Sequence, residues 1–321
     1  MTKVDPSIPK YYHRHAKVFD EEASQRFPSS REEDHAITLK LDTPLSLNCK
    51  EYVQTKAEAT ATKEFIDESV KKGYIVESKS PYASPFFFRA KKDGKLCPIM
   101  DYQVLNSLTV RDTYPLPMIN SILDSLQGKE LFTKFTIRWG YNNIHIKEED
   151  QWKAAFKTPF GLYQPRVMFF GLTNSPATFC QTMARLFREL TNKYPTELFV
   201  YMDDILIATQ NDLTHHRQIV DEVFKLLACE SYFLRPSKCV FEQACIEYLR
   251  LVVDGGQLTI DPMKANGLKN WPSKLTKVKQ VRSVLGVLGY QRAFIPNYAT
   301  IAKPLTDLTR KDHPFEWTPQ C

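Results

Sequence analysis

The 321-residue chain is predicted to fold as an α+β protein. Three observations carry that prediction. The segment Phe199-Val200-Tyr201-Met202-Asp203-Asp204-Ile205-Leu206-Ile207 reads as two short buried strands joined by a tight turn. Two amphipathic helical patterns flank it. The first runs from Pro176 to about Leu190, with Phe179, Met183, Leu186, Phe187 and Leu190 at i, i+4, i+7, i+8 and i+11. The second runs from Leu213 to Cys229, with Ile219, Val223, Leu226 and Leu227 on one face. Further strand-like runs lie at residues 131–157 and 248–253. Strands, helix, strand hairpin, helix and strand make a sheet with helices on one side.

In chain order, residues 1–45 are polar and weakly periodic, and are expected to pack along the body as an extension. Residues 56–72 read as a helix stopped by Gly73. Pro81 to Phe88 is a proline-framed aromatic strand, and Lys91-Lys92-Asp93-Gly94-Lys95 is a hairpin turn with Asp-Gly at its tip. The run 131–157 is expected as strands joined by a polar turn at Lys147–Asp150. After the strand Tyr248–Val253 the pattern becomes helical, with Val278, Val281, Leu285 and Leu288 on one face beside Lys274, Lys277, Lys279 and Arg282.

Composition is ordinary for a globular protein, at 43% apolar and 25% charged residues. No apolar stretch approaches the ~18 residues of a membrane span, and the N-terminus lacks a signal-peptide core. An intracellular protein, cytoplasmic or nuclear, is the expectation. The seven cysteines are scattered and odd in number, so reduced and mostly buried thiols are expected. The pair His215-His216 is not at zinc spacing and reads as solvated or capping. The net charge of +6 is uneven: residues 261–321 hold ten Lys/Arg against four Asp/Glu, and the remaining 260 residues balance. A basic C-terminal segment on a neutral body fits a phosphate-backbone surface. A solvated helical face is the alternative.

Asp203-Asp204 carries the chemistry. Burying carboxylates costs several kcal/mol unless they are paired or bound to metal. Hard cations such as Mg²⁺ take oxygen ligands, with one or two carboxylates completed by substrate phosphates. Phosphoryl transfer on nucleotides is therefore the first expectation, and a plain polar turn is the other. A metal-dependent hydrolase would need a second acidic cluster near Asp203, and the sequence offers none.

Motifs in a fixed order then point to a family. They include Ile8-Pro9-Lys10-Tyr11-Tyr12, Ser80-Pro81-Tyr82-Ala83-Ser84-Pro85, Asp101-Tyr102 with Leu105-Asn106, and Tyr114-Pro115-Leu116-Pro117. Further on come Trp139-Gly140-Tyr141-Asn142, Phe170-Gly171-Leu172-Thr173-Asn174-Ser175-Pro176-Ala177-Thr178-Phe179, Tyr201-Met202-Asp203-Asp204 and Pro304-Leu305-Thr306-Asp307-Leu308-Thr309. The chain resembles, over essentially its whole length, the reverse transcriptase of gypsy-type LTR retrotransposons of the kind abundant in fungi.

The resemblance implies a right-hand polymerase fold with fingers, palm and thumb. The corresponding domains are an N-terminal extension at 1–45, fingers at 46–125 and a palm at 126–253, with the reverse transcriptase core at about 75–253. A basic thumb and the start of a connection follow at 254–321. The implied activity is RNA-directed DNA polymerisation on an RNA or DNA template with primer, using deoxynucleotides and two Mg²⁺ ions that clamp the attacking and leaving oxygens. Asp203 matches the metal-binding carboxylate. Asp204, on the other side of an extended strand, is the weaker ligand. Tyr141 matches the residue that stacks under the sugar, and Phe170-Gly171 the segment against the incoming nucleotide. Lys91 matches the fingertip lysine on the triphosphate, Lys238 a lysine proposed to protonate pyrophosphate, and Tyr248-Leu249 the primer grip. For Tyr141, Phe170 and Tyr248 core packing is the alternative.

The chain departs from the family pattern at four functional positions. The family's first catalytic aspartate is Thr136, in Lys134-Phe135-Thr136-Ile137-Arg138-Trp139-Gly140-Tyr141-Asn142. A hydroxyl brings no negative charge, so Mg²⁺ binding is expected to be weakened. The family's Arg-Pro is Cys97-Pro98, and a thiol does not replace a planar guanidinium. Gln103 stands for an arginine, and Arg250 for a glycine at the primer grip. Apolar patterning is intact throughout. That is the pattern of drift in a decaying element copy. Three outcomes follow: a catalytically impaired polymerase, a non-catalytic nucleic-acid-binding remnant, or a product with no selected role.

Overall fold

The computed structural model describes residues 5–90, 94, 96–115, 117–249, 251–255, 257–260, 272, 274–290, 292–311 and 314–319. Its chain forms two compact units. One comprises Met1–Met118 with Leu131–Gln243, the other Ile119–Glu130 with Ala244–Cys321.

The first unit opens with a 3-10 segment, Lys10–Phe19. It lies against the helix Leu213–Cys229 and the strand Val240–Gln243 through rings: Tyr12 meets Phe224 edge-on at 5.6 Å and stacks on Phe241 at 5.3 Å, and Phe19 meets Phe224 at 5.5 Å. Burying side chains of this size contributes about 1.5–3 kcal/mol each, which is how a polar segment stays bound to the body. A helix, Lys56–Lys71, follows. Its start is fixed by a reciprocal cap in which Glu58 N donates to Thr55 Oγ1 at 3.3 Å and Thr55 N donates to Glu58 Oε2 at 2.8 Å. Its end is the left-handed Gly73, at φ +72°.

The strands of this unit are β1 (Leu47–Asn48), β2 (Ile75–Glu77), β3 (Tyr82–Ala90), β4 (Leu96–Met100), β5 (Leu131–Thr136), β6 (Phe156–Thr158), β7 (Gly161–Pro165), β8 (Leu198–Tyr201), β9 (Asp204–Thr209) and β10 (Val240–Gln243). One sheet runs β1-β3-β6-β7-β2 with β4 paired to β3. The other runs β10-β5-β9-β8. Alternate residues of β5 and β9, among them Phe135, Ile205 and Ile207, join Phe179 and Met183, and Ile219, Val220, Val223, Phe224 and Leu227, in one buried core.

Several expectations are corrected. The turn expected at Lys147–Asp150 is a 3-10 helix, Glu148–Ala154, and another, Tyr141–Asn143, follows β5. The helix expected from Pro176 to Leu190 is two, Ser175–Leu186 and Arg188–Lys193. The break falls at buried Phe187, whose ψ of 1° leaves the helical range. Of the six described cysteines, all free thiols, only Cys180 is buried; Cys229 and Cys245 are exposed. His216 is neither solvated nor capping: it is fully buried between Thr133 and Thr209. The turn Lys91-Lys92-Asp93-Gly94-Lys95 lies, apart from Gly94, outside the described residues.

In the second unit, β11 (Cys245–Tyr248), β12 (Leu251–Asp254) and β13 (Gln257–Ile260) form an antiparallel meander. This corrects the single strand expected at 248–253. The chain turns at Leu249, with φ +46°, and again at Gly255, with φ +52°. The helix Val278–Tyr290 follows. Leu275, Val281 and Leu308 form its small core, with Leu285, Phe315 and Trp317 against it. No helix among the described residues is long and apolar enough to cross a membrane.

Candidate active site

The site lies where β5 and the β8–β9 hairpin end together. Tyr201 pairs with Asp204, so the turn is only two residues, Met202 and Asp203. Met202 has φ +55°, where glycine is usual. Such a residue must be held by its surroundings. Here the Cys180 thiol meets the Met202 sulfur at 3.1 Å.

The two aspartates face different constraints. Asp204 is the first residue of the ladder and lies directly across from Thr136. The Thr136 hydroxyl donates to Asp204 Oδ1 at 2.7 Å. Asp203 rides on the turn, its carbonyl accepting from Ile137 N at 2.8 Å. Loss of water, and then the nearby Asp204 charge, push the Asp203 carboxyl above its usual range; the Lys238 and Arg235 charges act the other way. Lys238 is therefore within electrostatic reach of Asp203. It is exposed, on the 3-10 turn Pro236–Lys238.

A pocket of about 80 Å³ opens beside Asp203, lined by Gly140, Tyr141, Phe170, Phe179 and Met202. Gly140 makes this approach possible: a methyl there would meet the Phe179 ring at 3.1 Å and lie 3.6 Å from Asp203 Cβ. The Tyr141 ring sits 4.9 Å from Phe170 and 5.4 Å from Phe179. Burial, then the Asp203 charge, push its hydroxyl up to about 12. Phe170 is 74% exposed, so its ring is open to contact. Gly171 has φ +110°, and a methyl there would approach Met100 O at 3.2 Å.

A residue without an assigned role in the sequence reading holds this loop. Asn106 Nδ2 donates to Gly171 O at 2.7 Å, and its Oδ1 accepts from Thr173 N at 2.8 Å. Its sequence signal is its place in the Leu105-Asn106 motif, which names no role for it because its partners are more than sixty positions away.

The remaining expected residues are placed as follows. Cys97 is half-buried on β4, beside a largely apolar cavity of about 310 Å³ that includes Trp139, Phe169 and Phe170. The residue directly across the strand pair from it is Arg89. Lys91 and Arg250 lie outside the described residues. Tyr248 and Leu249 belong to the second unit, where the Tyr248 ring is buried and Leu249 forms the turn between β11 and β12. Among the described residues no group of three or more His, Cys, Asp or Glu side chains is arranged to hold a metal ion.

Residues 90–253 match the family described as reverse transcriptase (RNA-dependent DNA polymerase). The retrovirus-related Pol polyprotein from transposon 297 of Drosophila melanogaster is 36% identical over 282 residues, covering 86% of this chain and 26% of that protein. The transposon Tf2-3 polyprotein of Schizosaccharomyces pombe is 28% identical over 316 residues, 98% of this chain and 23% of that protein. The chain thus spans about a quarter of the curated relatives it matches. A foamy viral protease-reverse transcriptase in complex with double-stranded DNA superposes with a TM-score of 0.80 at 22% identity, covering 98% of this chain and 55% of that one. Another, in complex with an RNA/DNA hybrid, gives 0.77 at 22% identity, covering 97% and 41%.

Proposed function

The chain belongs to the reverse transcriptase family, as the domain found in retrotransposon Pol polyproteins, and we propose that this copy is a gypsy-type polymerase domain whose chemistry is severely slowed. One observation carries the proposal: the position across from Asp204 holds a threonine that donates to it rather than a third carboxylate.

Reverse transcriptases work with divalent cations, Mg²⁺ being the expected one. The donor set here does not fit a two-cation clamp. It offers two adjacent carboxylates, one already accepting from Thr136, and no third acidic, histidine or cysteine ligand among the described residues. What the chain's own residues support is binding. The Tyr141–Phe170 rings form an apolar seat for a deoxyribose, with Asp203 at its edge. Lys238 and Arg235 present positive charge beside Asp203, where a triphosphate or pyrophosphate would gain from it. Lys238 is the donor we infer for the leaving pyrophosphate, and Lys91 the fingertip contact. Tyr248 and Leu249 are inferred to grip a primer end. We assign residues 46–125 to the fingers, 126–253 to the palm and 254–321 to a basic thumb and the start of a connection. The partners we infer are a primed RNA or DNA template and deoxynucleotides.

Primer extension with Mg²⁺ tests the reading. Thr136→Asp is expected to raise the rate by roughly 10²–10³, the range for restoring one preorganised stabilising group. Equal rates for the parent and Thr136→Asp would overturn it. The excess of ten Lys/Arg over four Asp/Glu in residues 261–321 favours a second reading, a remnant that only binds nucleic acid. That reading requires duplex affinity that falls steeply with salt and no extension by Thr136→Asp either.

A further inference from the structure

The turn carrying Tyr141 is held from outside by a residue more than a hundred positions away. Arg138 is buried, with its side chain 8% exposed, and its carboxylate partner is Glu21, at 2.6 Å from Nη1 to Oε1. A guanidinium does not shed its charge, so once buried it needs an anion beside it. The rest of Arg138 ties the turn together. Its N–H donates to Phe233 O at 2.7 Å and its Nε to Leu234 O at 3.4 Å. Its carbonyl and that of Trp139 both accept from Asn143 Nδ2, at 3.1 and 2.9 Å. Between them Trp139 stands at φ +54°, a conformation its contacts must impose.

The inner side of the same turn presents Gly140 to Phe179 and Asp203, and the Tyr141 ring to Phe170. The segment after Glu21 continues along this region: Gln25 lines the cavity that includes Trp139, and the Phe27 ring lies 4.5 Å from that of His145. Glu21 falls outside residues 90–253, the stretch that matches the family.

We propose that Glu21 is a positioning residue of the nucleotide pocket: its ion pair with buried Arg138 holds the Trp139–Asn143 turn, and with it the ring of Tyr141. The polymerase site is then incomplete in a chain cut down to its matched core. The assignment to a nucleotide rests on the function proposed above; the effect on the turn does not.

Two measurements test it. Amide hydrogen exchange reads the turn directly, through Asn143 N bonded to Gly140 O and Ile144 N bonded to Tyr141 O. In Glu21→Gln these amides are expected to exchange roughly tenfold faster, with those of Leu213–Cys229 unchanged, the signature of local opening. Glu22→Gln should leave both sets alone, and Glu21→Asp, which keeps the charge, should recover most of the protection. Equal protection of the turn in Glu21→Gln and the parent overturns the proposal. The second measurement is binding of dGTP against GTP, with Ca²⁺, to the protein on a chain-terminated primer–template. The preference for dGTP is expected to fall roughly tenfold in Glu21→Gln, as a loosened gate discriminates less; an unchanged preference overturns the proposal. If the parent binds neither nucleotide, the nucleotide reading fails, and the exchange result still decides what Glu21 does to the turn.

Discussion

Thr133 and Thr136 lie on one strand, three positions apart, and hence on opposite faces of it. Thr133 is fully buried. Its hydroxyl meets His216 Nε2 at 2.7 Å and accepts from Glu242 N at 3.0 Å, while Thr209 meets His216 Nδ1 at 2.8 Å. Each polar atom there has a neutral partner. Thr136 stands at the strand's end and donates to one carboxylate. The same side chain completes a structural network in one place and, on the function proposed above, leaves a catalytic one short in the other. A hydroxyl can satisfy a hydrogen-bonding need, but it cannot supply charge.

The largest expected effect tests the second half of that contrast. Asp203→Asn in a Thr136→Asp background should lower primer extension by roughly 10³, whereas Asp203→Asn in the parent should change an already slow rate far less. A parent that loses as much as the Thr136→Asp protein would show that Thr136 does not limit the site.

The first half is tested by His216→Leu. It leaves the buried Thr133 and Thr209 hydroxyls without their ring partner, at a cost of about 3 kcal/mol in urea unfolding. A loss below ~1 kcal/mol would mean that the network is not structural.

Acid should find the same network. Burial, against the opposing pull of Glu242, holds His216 down at about 4, and His35, bonded to Thr178 at 2.8 Å, is likewise held at about 4. Both folded values lie below the ordinary histidine value, so the unfolded chain binds the extra protons. The stabilisation is whole above pH ~6.5 and is lost as pH falls from there toward 4, by up to ~1.4 kcal/mol per unit for each histidine. Unfolding free energies measured between pH 7 and 4.5 should show that slope, and His216→Gln should make it shallower. A flat profile would break the argument.

The smallest effect is Thr136→Val. It removes one hydrogen bond from a half-buried carboxylate that water can reach, so about 1 kcal/mol or less should be lost. Thr133→Val should cost more than twice that, because it strands both His216 and the Glu242 amide. Equal losses would erase the distinction between the two threonines.

Much of this geometry was legible in the sequence. The hairpin was visible because an apolar run interrupted by two carboxylates has few other solutions. The helix Leu213–Cys229 has the bounds the sequence predicts, with the Asp212 side chain accepting from Thr214 N and His215 N at its start. Thr136 stands out in the sequence because Lys134-Phe135 before it and Arg138-Trp139-Gly140-Tyr141-Asn142 after it resemble the family pattern. What was not legible depends on distant partners. Nothing local in His216 announces two threonines on two strands, and nothing in Glu21 announces Arg138. The break at Phe187 arises where a ring is pulled into the core. The meander β11–β13 is not legible from its apolar stretch, which reads as a single strand, although Asp254-Gly255 is a turn signal. The thiols were placed by residue type, and Cys229 and Cys245 show how weak that guide is for single positions.

The hairpin's two-residue turn has a consequence for how such sites are found. Asp203 and Asp204 are neighbours in the text of the sequence, yet they are mounted on different parts. Asp203 belongs to the turn, and Asp204 belongs to the strand ladder. A pattern search that scores the doublet as one unit counts a shared address as a shared mounting. The letter that best reports on Asp204 is the one sixty-eight places earlier, across the ladder. If Thr136 limits catalysis as proposed, surveys that score such paired positions together would separate working copies from impaired ones where the doublet alone looks the same in both.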